Sequence, residues 1–158
     1  RWCLRASRSF GLGRGLTCKA GRFFSAMGYL NEQHAHTWDF ADAPLIYRGL
    51  FGDQLRDDGI QLSYIAPTDT FLQLGAEVMS GSQFPSAGEQ SGIGAATVFA
   101  NIGGDNGIDH SWQLGLSHWQ ANNIEGRTGG GHAHGGEDSV EETPSFDVDS
   151  KINAGDFV

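Results

Sequence analysis

Hydrophobic and polar residues alternate one by one over short segments in the middle of the chain. Such alternation is typical of β-strands that have one apolar and one polar face. It is clearest in Phe71–Met79, where the even positions are all apolar and the odd positions include Gln73 and Glu77. Ile60–Tyr64 alternates in the same way, and residues 66–70 carry the Pro and Asp of a tight turn. The two segments therefore predict a β-hairpin.

A second hairpin is predicted directly after the first. Residues 93–102 are rich in small and β-prone residues, and residues 103–107 form a Gly-Gly-Asp-Asn-Gly turn sequence. Ser111–Ser117 follows, with Trp and Leu alternating with Gln, Gly and Ser. Weaker strand patterns lie at Leu16–Ala26 and Lys151–Val158. The sequence thus predicts an all-β fold in which about six antiparallel strands follow one another as a meander.

The connections between these strands alternate in length along the chain. Long or medium connections are predicted at 28–58, 80–91 and 122–150, and short turns at 66–70 and 103–110. Successive connections of an antiparallel meander lie at opposite ends of the sheet. Outer-membrane β-barrels show this division, with short periplasmic turns and long extracellular loops. The pattern therefore indicates a fragment of an antiparallel transmembrane β-barrel, present as an open curved sheet.

A soluble β-sandwich is the alternative explanation of alternating strands and turns. Soluble strands average roughly five or six residues, whereas these run nearer to the roughly nine to eleven of a tilted membrane strand. In the barrel interpretation, one face of the strand Phe71–Met79 meets lipid and the other lines the lumen. The lipid-facing residues are Leu72, Leu74, Ala76 and Val78, and the lumen-facing residues are Gln73, Gly75 and Glu77. Because the smallest membrane barrels need about eight strands, we expect unpaired edges at Leu16–Ala26 and Lys151–Val158.

The composition agrees with strands that are apolar on one side only. Hydrophobic residues make up 39% of the chain, below the roughly 45–50% of globular domains, and 24 of the 158 residues are glycine. The chain nevertheless contains 4 Trp, 3 Tyr and 10 Phe, and only 18% of its residues are charged. A disordered chain would carry more charge and fewer aromatic residues.

Charge divides the chain into two regions. Residues 1–30 hold six basic residues and no acidic one, and all 19 acidic residues lie in 31–158. The net charge of −9 argues against nucleic acid as a partner, because an acidic body repels phosphates. We interpret residues 1–14 as an unmatched N-terminal segment, disordered or artefactual, and residues 15–158 as the partial barrel.

Three segments resemble a known family of outer-membrane proteins. They are KAGRFFSAMGYLNEQHAHTWDFADAPL at 19–45, DDGIQLSYIAPTD at 57–69 and LQLGAEV at 72–78. They are similar to proteobacterial proteins known as zinc-regulated TonB-dependent outer-membrane receptors, which are distantly related to the phosphate-selective porin type of barrel. The similarity covers residues 16–158. It implies a bacterial outer-membrane barrel of about 14 to 18 strands, with outer-membrane lipid as a partner, a small solute or divalent metal ion as cargo, and TonB bound through other regions of the protein.

Two His-Ala-His pairs are candidate metal sites, because imidazole is a common ligand of zinc and copper and carboxylates can complete a site. The second pair lies in a glycine-rich stretch whose backbone can wrap around an ion at little steric cost. The candidate ligands are His34, His36, His132, His134, Glu137 and Asp138, with zinc as the ion. The alternative is local packing for the first pair and a solvated low-complexity loop for the second.

Enzyme signatures are absent from the sequence. It contains no Gly-x-Ser-x-Gly, no phosphate-binding Gly-rich loop with Lys and Ser/Thr, and no His-Glu-x-x-His, so we expect no enzymatic activity. The leading hypothesis is a fragment of a porin-like or receptor-type transport barrel that takes up divalent metal ions through a His- and acid-rich extracellular loop. The alternatives are a soluble metal-binding β-domain of the periplasm or cell surface, and a structural β-domain without a ligand.

Overall fold

A computed structural model of the chain describes residues 7–34, 36, 38, 42–52, 54–82, 93–125 and 147–158. These residues contain seven β-strands and one helix. In chain order they are β1 (Arg8–Gly13), β2 (Leu16–Phe24), α1 (Leu45–Phe51), β3 (Arg56–Ile65), β4 (Phe71–Met79), β5 (Ala95–Asn106), β6 (His110–Glu125) and β7 (Asp147–Phe157). In this part of the chain, no helix has the length and apolar content that a membrane crossing requires.

The strands form one open sheet, in which each strand pairs antiparallel with the next strand along the chain. The predicted all-β meander is therefore confirmed. The prediction of about six strands was one too few, because Arg8–Gly13 pairs with β2 as an additional strand. The edges of the described sheet are consequently β1 and β7, and Leu16–Phe24 is paired on both sides instead of lying at an edge.

Short and long connections lie at opposite ends of the sheet, as predicted. The described turns at 14–15, 66–70 and 107–109 join β1 to β2, β3 to β4 and β5 to β6, and they define the short-turn end. The other three connections leave the opposite, long-connection end. The turn between β1 and β2 depends on glycine, since Gly13 and Gly15 both have φ near +80°.

Most strands are longer than the alternating pattern indicated, but Phe71–Met79 has the predicted bounds and Leu16–Phe24 ends two residues before the predicted Leu16–Ala26. β5 continues through Gly103 and Gly104 to Asn106, although these residues suggest a turn. They pair with residues 110–113 of β6, so the backbone of the Gly-rich segment still receives its ladder of hydrogen bonds. The composition therefore predicted the turn between β5 and β6 at 103–107, whereas the structure has it at 107–109.

The two faces of the sheet differ in exposure, and the apolar face is the exposed one. On this outer face Ile60, Leu74, Val98 and Leu116 are between 45% and 61% exposed. On the opposite, inner face the buried polar residues are Asp57, Gln61, Ser63, Glu77, Thr97 and Ser117. The predicted division of β4 into an apolar and a polar face is confirmed by this arrangement.

The described residues of the segment between β2 and β3 (residues 25–55, the β2–β3 connection) pack on the inner face. The sequence predicted a long loop at this place, and the structure adds the short helix α1, which ends at Gly52 in the left-handed conformation. The connection supplies Met27, Ala43, Tyr47, Phe51 and Leu55 to a core whose sheet residues are Phe23, Met79, Ala95, Trp119 and Ala121. This core lies towards the long-connection end of the sheet.

Candidate functional site

A row of polar side chains crosses the inner face where the β2–β3 connection meets the sheet. The strand register places Lys19, Gln61, Glu77 and Thr97 side by side on β2 to β5. Period-two alternation positions all four on the same face, and no apolar residue interrupts the row. The inner face therefore offers the connection a line of hydrogen-bonding groups beside the apolar core.

Glu77 is the centre of this row and anchors the start of the β2–β3 connection. Its carboxylate accepts hydrogen bonds from the Ser25 hydroxyl at 2.6 Å, from the Ala26 backbone N–H at 2.8 Å and from the Gln61 amide at 2.7 Å. Only 1% of Glu77 is exposed. Buried carboxylates require such donors, since an unpaired buried charge is strongly unfavourable. Glu77 thus joins the start of the connection to the sheet.

Asn31 closes the connection into a compact loop. Its side-chain amide donates to the carbonyls of Ser25 and Leu55, at 2.7 and 2.8 Å, and its side-chain oxygen accepts from the Leu55 N–H at 2.7 Å. Ser25 N–H also donates to the Leu55 carbonyl. The two ends of a 31-residue segment are therefore held together by a buried polar side chain, and Met27, Tyr47 and Phe51 of this segment belong to the core.

A cavity of about 460 Å³ lies between the β2–β3 connection and β7. Its walls include Met27, Tyr47 and Phe51 from the connection and Ile152 and Asp156 from the inner face of β7. Burial raises the pKa of the Tyr47 hydroxyl to about 12, and the neighbouring Asp156 carboxylate contributes to this rise. Tyr47 therefore remains protonated at neutral pH.

The first His-Ala-His pair lies on the exposed surface of the β2–β3 connection. The rings of His34 and His36 are stacked, with centroids 5.5 Å apart and planes 16° from parallel. The rings of Phe24 and His34 are nearly perpendicular, with centroids 5.7 Å apart. Within the described residues, no group of three or more His, Cys, Asp or Glu side chains is placed to hold a metal ion.

The second candidate metal site, His132, His134, Glu137 and Asp138, lies outside the described residues. The structure therefore brings His34 and His36 together and leaves the other pair as a prediction. Of the predicted lumen-lining residues, Gln73 accepts a hydrogen bond from Asn101 at 3.3 Å, and Glu77 is the buried anchor. Gly75 lies beneath the ring of Phe99.

Sequence reasoning missed Asn31, Tyr47 and Asp156, which organise the connection and its cavity. Asn31 and Tyr47 lie in a segment predicted as a loop, where no periodic pattern distinguishes buried from exposed positions. Asp156 lies in the predicted strand Lys151–Val158, where it shares a face with Ile152 and Ala154, so alternation did not single it out.

The chain is 42% identical over 80 residues to a protein of Aquifex aeolicus (strain VF5) that is described only as an uncharacterized protein. The matched segment is 51% of this chain and 17% of that relative, so the chain spans a small part of the relative's length. No known protein family matches the chain, and no solved structure matches it.

Proposed function

We propose that the chain forms part of the wall of a porin-like or receptor-type transport barrel in the bacterial outer membrane. The observation that carries this proposal is the inverted polarity of the sheet. Exposed apolar side chains occupy the outer face, and the inner face carries buried polar side chains beside the apolar core under the β2–β3 connection. Membrane barrels have this arrangement because their outer face meets lipid and their lumen is polar.

The extent of the apolar surface supports the membrane over water as the environment of the outer face. Ile60, Leu62, Leu74, Val98 and Leu116 are all at least 45% exposed, and they lie on four adjacent strands. Single exposed apolar residues are common in soluble proteins, but a contiguous patch of this kind marks a surface that contacts lipid or another protein.

The exposed apolar residues of the outer face also form a band, which runs obliquely across the hydrogen-bonded rows of the sheet. Ile60 on β3 lies in the same row as Gln120 on β6, and Leu62 lies in the same row as His118. The apolar residues of β6, including Leu116, are therefore displaced towards the short-turn end. Strands of a barrel are tilted by roughly 35–45°, so a band parallel to the membrane must cross their register in this way.

The β2–β3 connection has the position of a segment that narrows the lumen. Its described part packs on the inner face, where Glu77 holds Ser25 and Ala26 and the core residues pack against the sheet. We infer that solutes pass beside this connection, and that the long-connection end faces the cell exterior.

We further propose that the cargo is a small solute or a divalent metal ion such as zinc. For the second candidate site the support is the type of residues alone: His132, His134, Glu137 and Asp138. For the first pair the structure adds that the rings of His34 and His36 are stacked and exposed. Two imidazoles leave most of the coordination of zinc open, which suits transient capture more than permanent binding. Engagement of TonB by other regions of the protein belongs to the same proposal.

Leu74→Arg and Gln73→Arg test the membrane assignment, because these neighbours lie on opposite faces of β4. In the full-length gene product, Leu74→Arg is expected to reduce outer-membrane assembly, since an arginine near the bilayer midplane costs about 2–4 kcal/mol. Gln73→Arg places the same charge on the polar face and should assemble normally. Membrane fractionation and heat-modifiable gel mobility measure assembly, and equal behaviour of the two variants would rule out the proposed faces.

A further inference from the structure

Three arginines on β1, β2 and β3, called the basic cluster below, border the apolar band of the outer face towards the long-connection end. Arg8 lies in the hydrogen-bonded row of Ile60, which belongs to the apolar band. Arg22 lies opposite Asp58 in the next row of the same face, and Arg56 lies in the row after that. Cross-strand partners point to the same side of a sheet, so the three arginine side chains share the outer face.

The basic cluster carries more positive than negative charge. Arg22 donates from Nε and Nη2 to the Asp58 carboxylate, at 3.3 and 2.8 Å. Arg56 is exposed, and its Cζ atom lies 5.7 Å from the centroid of the Phe24 ring. Arg8 is exposed as well, and among the described residues neither Arg8 nor Arg56 forms an ion pair. Two guanidinium groups are therefore available to an anion from outside the protein.

The opposite end of the sheet has a different charge. At the short-turn end the described charged residues are mainly acidic, with Asp69, Asp105 and Asp109 beside Arg14. Screening limits the reach of such charges to roughly 8 Å at physiological salt, so each end of the sheet acts on its own surroundings. An anion is therefore attracted to the border of the apolar band at the long-connection end.

The position of the basic cluster beside the apolar band indicates an amphipathic ligand. Ile60 and Leu62, next to the cluster, are 52% and 45% exposed. A free anion would leave this apolar surface uncovered, and a lipid with a neutral headgroup would leave Arg8 and Arg56 without an anionic partner. Guanidinium groups match phosphate oxygens in geometry and charge, and basic residues beside a bilayer attract anionic headgroups.

We propose that the basic cluster binds the phosphate headgroup of an anionic lipid whose acyl chains lie on the apolar band. Arg8 and Arg56 donate to the phosphate oxygens, and Arg22, which is held by Asp58, offers its Nη1 group. This inference rests on the proposed membrane location of the outer face. It adds the class of lipid, and it places the headgroup in the leaflet that faces the cell exterior.

Native mass spectrometry of the full-length gene product in a non-ionic detergent tests the inference with two lipids, phosphatidic acid and phosphatidylcholine. Phosphatidic acid should bind at least about tenfold more tightly, since each basic residue near the headgroup adds to its affinity. Inorganic phosphate at the same concentration should not displace phosphatidic acid, because it has no acyl chains. Equal affinity for the two lipids, binding of neither, or displacement by inorganic phosphate would each overturn the proposal.

The double variant Arg8→Gln/Arg56→Gln removes the two available charges and should bind phosphatidic acid no more tightly than phosphatidylcholine. Arg14→Gln is the matched control, because it makes the same change at an exposed position of the short-turn end, and it should keep the wild-type preference. Heat-modifiable gel mobility shows whether each variant assembles.

An assembled double variant with the wild-type preference, or an equal loss of preference in Arg14→Gln, would contradict the role of the basic cluster. Neither result bears on the membrane location of the outer face, which the comparison of Leu74→Arg with Gln73→Arg tests separately.

Discussion

At the residue scale, two buried carboxylates on the inner face, Asp57 and Glu77, use both of their oxygens as hydrogen-bond acceptors. Asp57 accepts hydrogen bonds from Ser80, Gly81 and Ser82 at 2.8–3.1 Å, and it fixes the chain where it leaves β4. Glu77 is equally well provided with donors. Because these two acids are satisfied within the protein, they are structural anchors, and a ligand would have to break existing hydrogen bonds to reach them.

Replacement of Glu77 by alanine is expected to destabilise the chain by about 2–4 kcal/mol, because the Ser25, Ala26 and Gln61 donors lose a buried acceptor. The free energy of unfolding in urea, measured in detergent, gives the loss. Glu32 offers a matched control, since it is exposed and contacts Lys19 and Gln61 at 3.1 and 3.3 Å. Glu32→Ala should cost less than about 1 kcal/mol, and similar losses in the two variants would contradict the anchoring role.

Parity along β4 was sufficient to predict that Glu77 faces away from the apolar side, because strand geometry alone decides it. Its partner Ser25 lies 52 residues earlier, in a segment without any alternating pattern. Contacts of this kind depend on how the β2–β3 connection folds back over the sheet. The face of a residue could therefore be predicted from sequence, whereas its role as an anchor could not.

At the element scale, the strands with clear alternation were predicted and the short or glycine-rich elements were missed. α1 has seven residues, which is shorter than the window of roughly 11 to 18 residues over which helical periodicity is recognisable. β1 has six residues, and because three of them are glycine or serine, its own strand propensity is weak. Both elements exist because neighbouring parts of the fold supply their partners.

The pairing of β4 with β5 depends on a glycine opposite an aromatic ring. Phe99 lies over Gly75, and a Cβ atom on Gly75 would overlap the ring. Gly75→Ala should therefore destabilise the sheet by about 1–3 kcal/mol, as measured by urea unfolding. In a Phe99→Ala background the same change should cost much less, since the clash has been removed.

Gly104→Ala is the control for this pair, because its Cβ would make ordinary contacts of 3.5 Å with Trp112. It should change the free energy of unfolding by less than about 1 kcal/mol. Additive effects of Gly75→Ala and Phe99→Ala would show that the two residues are not coupled, and the cross-strand explanation would then be wrong.

At the scale of the whole molecule, burial contradicts the usual distribution of polarity in a water-soluble sheet. Alternation predicted two unlike faces, but alternation alone does not decide which one is covered. In this chain the β2–β3 connection covers the face that carries the polar row and the core residues, and it leaves the wholly apolar face of β4 open. A soluble β-domain would instead bury the row of Ile60, Val78 and Ala96, so the position of the connection favours the membrane interpretation.

Two tryptophans of β6 report on opposite faces of the molecule and provide a direct measure of this polarity. Trp112 is 38% exposed on the outer face, whereas Trp119 is completely buried beneath the connection. In variants that retain one of them, with the other tryptophans changed to phenylalanine, micelles of a brominated detergent should quench Trp112 fluorescence strongly and Trp119 fluorescence weakly. The heavy atoms quench only rings that the alkyl chains reach, and the unbrominated detergent corrects for differences in intrinsic emission. If the outer face met water, Trp112 would be quenched no more than Trp119, and neither the lipid-facing band nor the barrel wall could be maintained.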